Sequence, residues 1–129
     1  MSFDANRADL CVGVIATGAM GRGIVQVTAA GGMHVLMMDT RPGAADEARD
    51  FVAKMLVRAA EKGAMSKADA DAATARIRVA QSLAEFKDCH MVVEAIVENL
   101  DAKRALFGEL EGIVGPECIL ATNTSSMSV

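Results

Sequence analysis

Tryptophan and tyrosine are absent from this 129-residue chain, and phenylalanine occurs only four times. A core must therefore be built from Val, Ile, Leu, Ala and nine Met rather than from stacked rings. Cysteine is scarce as well. Cys11, Cys89 and Cys118 are an odd number with no CxxC spacing, which argues against a disulfide framework and against a tetrahedral metal site. No Lys/Arg cluster is present, and with a net charge of −4 and a pI near 5.1 the chain lacks the electrostatic footprint of a nucleic-acid binder. No apolar stretch approaches the roughly 18 residues that span a bilayer, so a membrane partner is not expected. The first ten residues, MSFDANRADL, carry charge early and lack an apolar signal core. The chain reads as cytoplasmic.

What remains is ordinary for a folded domain: 52% hydrophobic and 23% charged residues, enough for one modest core. Short apolar runs alternate with longer Ala- and charge-rich stretches. The pattern predicts strands over 10–15, 33–38, 76–80, 91–96 and 118–122. Helices are predicted over 21–30, 42–62, 66–75 and 100–113. Gly31-Gly32 and Gly63 are expected to end the first two helices, Ser66 to cap the third, and Asn99 the fourth. On the long second helix, Ala48, Phe51, Met55 and Ala59 fall near helical spacing on one face. Strands alternating with helices imply right-handed crossovers and hence an α/β, Rossmann-type doubly wound, mainly parallel sheet with helices on both faces. The three cysteines fall near strand starts, so one end of that sheet can gather them. Each reads as a small hydrophobe, against the alternative of a shared metal or redox role.

The chemistry concentrates in CVGVIATGAMGRGI, residues 11–24. A strand runs into a glycine-rich turn that opens a helix, and such a turn aims main-chain N–H groups and a helix N-terminus at a pyrophosphate. Against the pattern G-x-G-x-x-G, the run Ala16-Thr17-Gly18-Ala19-Met20-Gly21 has alanine for the first glycine. Gly18 lets backbone approach the phosphates and Gly21 lets the helix close on its strand. Ala16 sits where the tight turn itself is made, at a strain of about 1 kcal/mol if it adopts a glycine-like conformation. Asp39 lies 21 positions beyond Gly18, at the end of the second strand, where a carboxylate can accept both ribose hydroxyls. Such an acid favours NAD over NADP, and the nearby Arg41 works against that preference. A glycine-rich turn kept for packing alone is the plainer reading.

Four blocks carry a more specific resemblance: VIATGAMGRGIVQVTAAGG, LMMDTRPGAA, VVEAIVENLDAKRALFGELE and ILATNTSS. Together they resemble the N-terminal, NAD-binding domain of the L-3-hydroxyacyl-CoA dehydrogenases, of the fatty-acid β-oxidation and 3-hydroxybutyryl-CoA type. The resemblance implies that Gly18, Ala19, Met20 and Gly21 form the phosphate-binding turn and that Asp39 contacts the adenosine ribose. It also implies cofactor contacts for Ala95, Ile96, Glu98 and Lys103. Asn123 falls beside the nicotinamide, and Ser125 matches the serine that hydrogen-bonds the substrate's 3-oxygen. Lys54 and Lys62 fall on a helix that contacts the CoA.

By the same resemblance, a histidine in an HFFNP-like segment, oriented by a glutamate, supplies the base. Both lie beyond residue 129, as does a helical domain that completes the acyl site and forms a homodimer. The 129 residues are therefore expected to be a single NAD-binding domain, truncated and without turnover alone. The plainer readings are a solvated helix-start charge for Glu98 or Lys103, a structural hydrogen bond to a helix N-terminus for Glu94, and a capping hydroxyl for Ser125. His34 and His90 fall at strand starts, away from the edge where ligands bind, and His34 reads as structural. The competing functions are a vestigial dinucleotide-binding domain and a related NAD-dependent sugar-acid dehydrogenase.

Overall fold

A computed structural model of the chain describes residues 10–16, 18–95 and 100–122. Five strands, β1 Cys11–Ile15, β2 His34–Met38, β3 Ile77–Val79, β4 Met91–Glu94 and β5 Ile119–Thr122, form one sheet. Every pairing is parallel and the order is β3-β2-β1-β4-β5. Parallel neighbours need crossovers, which α1 Ala19–Ala30, α2 Ala44–Glu61, α3 Lys67–Ala75 and α4 Leu100–Glu111 supply. Strand order reverses between β1 and β4, and in open α/β sheets the carboxyl edge at such a reversal is where ligands bind.

Both faces of the sheet are covered, which is why its strands read as nearly unbroken apolar runs. Val12, Val14, Val35, Met37, Ile77 and Val93 point to one face and pack with Val25, Val52 and Leu56 from α1 and α2. Ile15, Leu36 and Val92 point to the other, with Phe86, Cys89 and Leu110. Gly32 (φ 97°) and Gly63 (φ 80°) close α1 and α2 in left-handed backbone, and the Ser66 hydroxyl accepts the Asp69 N–H at 3.0 Å to start α3. Among the described residues no helix is long and apolar enough to cross a membrane.

Two features depart from the sequence reading. The buried stripe of α2 is Ala45, Ala48, Val52 and Leu56, while Phe51 is 41% exposed. The helical phase is set by those aliphatics, and Phe51 lies at the margin beneath the Arg22 guanidinium, whose carbon is 4.3 Å from the ring centroid. Between β3 and β4 a 3-10 helix, Leu83–Asp88, opens on a Ser82/Glu85 capping box. It carries Phe86 onto β1 at Gly13, where a side chain would meet the ring at 2.5 Å.

Candidate functional site

The glycine turn lies at the carboxyl end of β1. Gly18 is the N-cap of α1, with φ −68° and ψ −171°, and among the described residues no side chain caps the helix. The first turn of α1 also holds no acidic residue. Its N–H groups and positive dipole end are thus left for an external anion. A Cβ on Gly18 would meet nothing within 4 Å, so the face that a phosphate needs is open. A Cβ on Gly21 would overlap the carbonyl oxygen of Ala16, with that carbonyl carbon at 3.1 Å. Gly21 therefore lets α1 close on the turn, the role the motif assigns it. These features fit a dinucleotide's pyrophosphate.

Ala16 has φ 79°, the one non-glycine among the described residues with left-handed backbone. Its N–H donates to the Met38 carbonyl at 2.8 Å, extending the β1–β2 ladder and holding the residue in that conformation. The strain anticipated from the sequence is present. Ala16→Gly is expected to stabilise the fold by about 1 kcal/mol, read as a shift in urea midpoint at unchanged slope.

Asp39 follows β2, and its Oδ1 accepts the Arg41 N–H at 3.0 Å. Asp39, Arg41, Gly43, Ala80 and Gln81 line a cleft of about 140 Å³ beside the ends of β2 and β3. A larger cleft, about 340 Å³, is lined by Val57, Ala60 and Ala70 with charged neighbours, none of them at the carboxyl edge. Size does not locate the cofactor here; the chemistry of the lining does. Ala95 is buried at the reversal point, and its N–H donates to the Ile15 carbonyl at 2.9 Å.

Lys103 is not a solvated charge. Its side chain and that of Glu94 are 2% and 0% exposed, and Nζ lies 3.5 Å from Glu94 Oε1. Glu94 ends β4 on the face covered by α4, so the lysine is drawn inward to neutralise a carboxylate held in the sheet. The sequence reading gave Glu94 a helix N-terminus as partner, and Lys103 is a partner it missed. Arg22, directly after Gly21, was also passed over; its Nε is buried without a hydrogen-bond partner. Lys54 and Lys62 are exposed on and just after α2.

The two histidines sit at the amino edge, opposite the glycine turn. His90 Nδ1 accepts the Cys11 N–H at 3.1 Å, whereas the His34 side chain is exposed. Ile96, Glu98, Asn123 and Ser125 lie outside the described residues, and for Ala19 only the backbone is described. Gly18, Met20, Gly21, Asp39, Ala95 and Lys103 belong to segments at or beside the carboxyl edge of β1, β2 and β4.

Residues 11–129 match the family model for the 3-hydroxyacyl-CoA dehydrogenase, NAD binding domain. A probable 3-hydroxybutyryl-CoA dehydrogenase of Deinococcus radiodurans is 43% identical over 117 residues, 91% of this chain and 42% of that protein. One of Bacillus subtilis is 40% identical over 116 residues, 90% of this chain and 40% of that protein. The crystal structure of (S)-3-hydroxybutyryl-CoA dehydrogenase from Ralstonia eutropha superposes with a TM-score of 0.83 at 37% identity, over 89% of this chain and 41% of that one. The chain thus spans about two fifths of the length of these relatives. From the matched span, the parallel sheet and the glycine turn together, the chain belongs to the 3-hydroxyacyl-CoA dehydrogenase family, of which it carries the NAD-binding domain.

Proposed function

We propose that this chain holds NAD for the oxidation of an L-3-hydroxyacyl-CoA to the 3-oxoacyl-CoA, in fatty-acid β-oxidation or related acyl-CoA catabolism. The observation that carries the reading is the uncapped N-terminus of α1 behind an open Gly18, at the point where strand order reverses. The bound nicotinamide supplies the hydride acceptor. Gly18 and the first turn of α1 bind the pyrophosphate through main-chain N–H groups. Asp39, oriented by the Arg41 N–H, accepts the adenosine ribose hydroxyls and repels a 2′-phosphate. Ala95, Ile96 and Glu98 complete the cofactor wall, with Lys103 held behind it on Glu94. Asn123 orients the nicotinamide, and Ser125 donates to the substrate's 3-oxygen as it becomes a carbonyl.

The hydroxyl proton needs a base at the same edge. The chain has two histidines, and both stand at the amino edge, at the start of β2 and beside the start of β1. That neither histidine reaches this edge agrees with the family resemblance, which implies a histidine base outside these 129 residues. A cytoplasmic homodimer that takes acyl-CoA is the assembly this reading carries.

The test joins this chain to the remaining part of the Bacillus subtilis relative and follows acetoacetyl-CoA-dependent NADH oxidation. The chain alone is expected to give background rates, and the chimera turnover that Ser125→Ala lowers about 10- to 100-fold. A chimera that folds and binds NADH yet turns over nothing contradicts the proposal, as does turnover by the chain alone. The left-handed Ala16 favours a second reading, a vestigial domain whose cofactor site is impaired.

A further inference from the structure

At the amino edge of the sheet, opposite the cofactor turn, the three cysteines come together on one face. Cys11 opens β1, Cys89 directly follows the 3-10 helix ahead of β4, and Cys118 precedes β5. Because strand order runs β1-β4-β5, they occupy three successive strand entrances. All three belong to the cluster around Phe86 and Leu110. Cys11 Sγ and Cys89 Sγ are 3.7 Å apart, within thiol–thiol hydrogen-bond range, and no disulfide joins them.

The backbone already permits a bond between that pair. Cys11 stands opposite His90 in register, the His90 N–H donating to the Cys11 carbonyl at 2.9 Å, and Cys89 is one extended residue away. Strand spacing and rise then put the two Cα atoms roughly 6 Å apart, inside the usual disulfide range. The sulfurs need to approach from 3.7 Å to about 2 Å, a rotation of side chains rather than a movement of strands.

We propose that Cys11 and Cys89 form a dithiol that a hydroperoxide oxidises to an intramolecular disulfide, linking β1 to the entrance of β4. Cys11 is the half-buried member and attacks first; Cys89 is buried behind it. The hydrogen bond with Cys89 and the positive potential of Arg78 together bring Cys11 down to about 7 against its burial and the repulsion of Asp88. The same hydrogen bond and burial push Cys89 up, and burial pushes Cys118 up. Cys11, the more exposed of the pair, is thus the more readily ionised sulfur.

In the first step the Cys11 thiolate attacks one peroxide oxygen and the O–O bond breaks. The departing hydroxide, or alkoxide, takes a proton and leaves Cys11 as a sulfenic acid. Cys89 sulfur then attacks Cys11 sulfur, the S–O bond breaks, and hydroxide leaves with the Cys89 proton as water. Two thiols and hydrogen peroxide give one disulfide and two waters. Among the described residues no group of three or more His, Cys, Asp or Glu is arranged to hold a metal ion.

The experiment treats the reduced, purified chain with hydrogen peroxide and maps it with trypsin, which releases the cysteines in peptides 8–22, 88–103 and 105–129. Free thiols are expected to fall from three to one, with 8–22 and 88–103 joined and full reversal by dithiothreitol. Cys118→Ser is expected to leave the link intact. Cys89→Ser is expected to stop at a sulfenic acid that dimedone traps on peptide 8–22. A link through peptide 105–129, disulfides only between chains, or three thiols surviving the peroxide each overturn the proposal.

Discussion

Replacing Lys103 with methionine is expected to destabilise the domain by about 3–5 kcal/mol, because it removes the buried cation 3.5 Å from the buried Glu94 carboxylate. Both side chains are at most 2% exposed, so water cannot take over from the ammonium. A domain of this size has a total stability of about 5–15 kcal/mol, and the thermal midpoint should fall by more than about 10 °C. The double variant Glu94→Gln, Lys103→Met removes both charges and is expected to recover most of the loss. Urea denaturation of the three proteins checks this. If Lys103→Met instead stays within about 1 kcal/mol of the parent while NADH binding collapses, the ion pair is not what holds α4 to β4. Lys103 would then act chiefly on the cofactor.

Gly21→Ala is expected to cost about 3 kcal/mol and to weaken NADH binding at least about tenfold. Its Cβ would overlap the Ala16 carbonyl oxygen, a main-chain atom in a residue already at φ 79°. The turn has little slack with which to yield: Ala16 is tied to Met38 on one side, and α1 packs on the sheet on the other. Gly23 provides the contrast within the same helix. Nothing lies within 4 Å of a Cβ placed there, so Gly23→Ala should stabilise by about 0.5–1 kcal/mol through helix propensity alone. Equal losses at both positions would show that α1 tolerates no change at either glycine, and the close approach at Gly21 would lose its significance.

Much of this was legible in the chain. Strands buried on both faces are unbroken apolar runs, and all five were found within one or two residues of their observed ends. The glycine turn was legible because each of its glycines has a local reason, whereas the motif left open whether Ala16 adopts the left-handed backbone it has. Helical phase was harder. Phe51 looks like a core residue on α2, yet Val52 and Leu56 face the sheet and the ring is covered from outside by Arg22. The 3-10 helix went unread although Ser82 and Glu85 spell its capping box, because six residues carry too little periodicity to announce it. Glu94 and Lys103 lie on a strand and the following helix, and their pairing depends on how α4 crosses the sheet. Spacing alone does not give that. The gathering of the cysteines was foreseeable, since strand starts in a parallel sheet share one edge, but the 3.7 Å approach of Cys11 and Cys89 needed the register.

The central claim is that a strained alanine turn still forms a working cofactor site. An NADH fluorescence titration of this chain beside Ala16→Gly tests it most directly, since the absence of Trp and Tyr leaves little protein emission to interfere. The account predicts that both bind, with the variant tighter by no more than about fivefold, the equivalent of roughly 1 kcal/mol of strain relieved at the turn. Binding by the glycine variant alone would contradict it, and the chain would then be a vestigial domain in which the fold has outlasted the site.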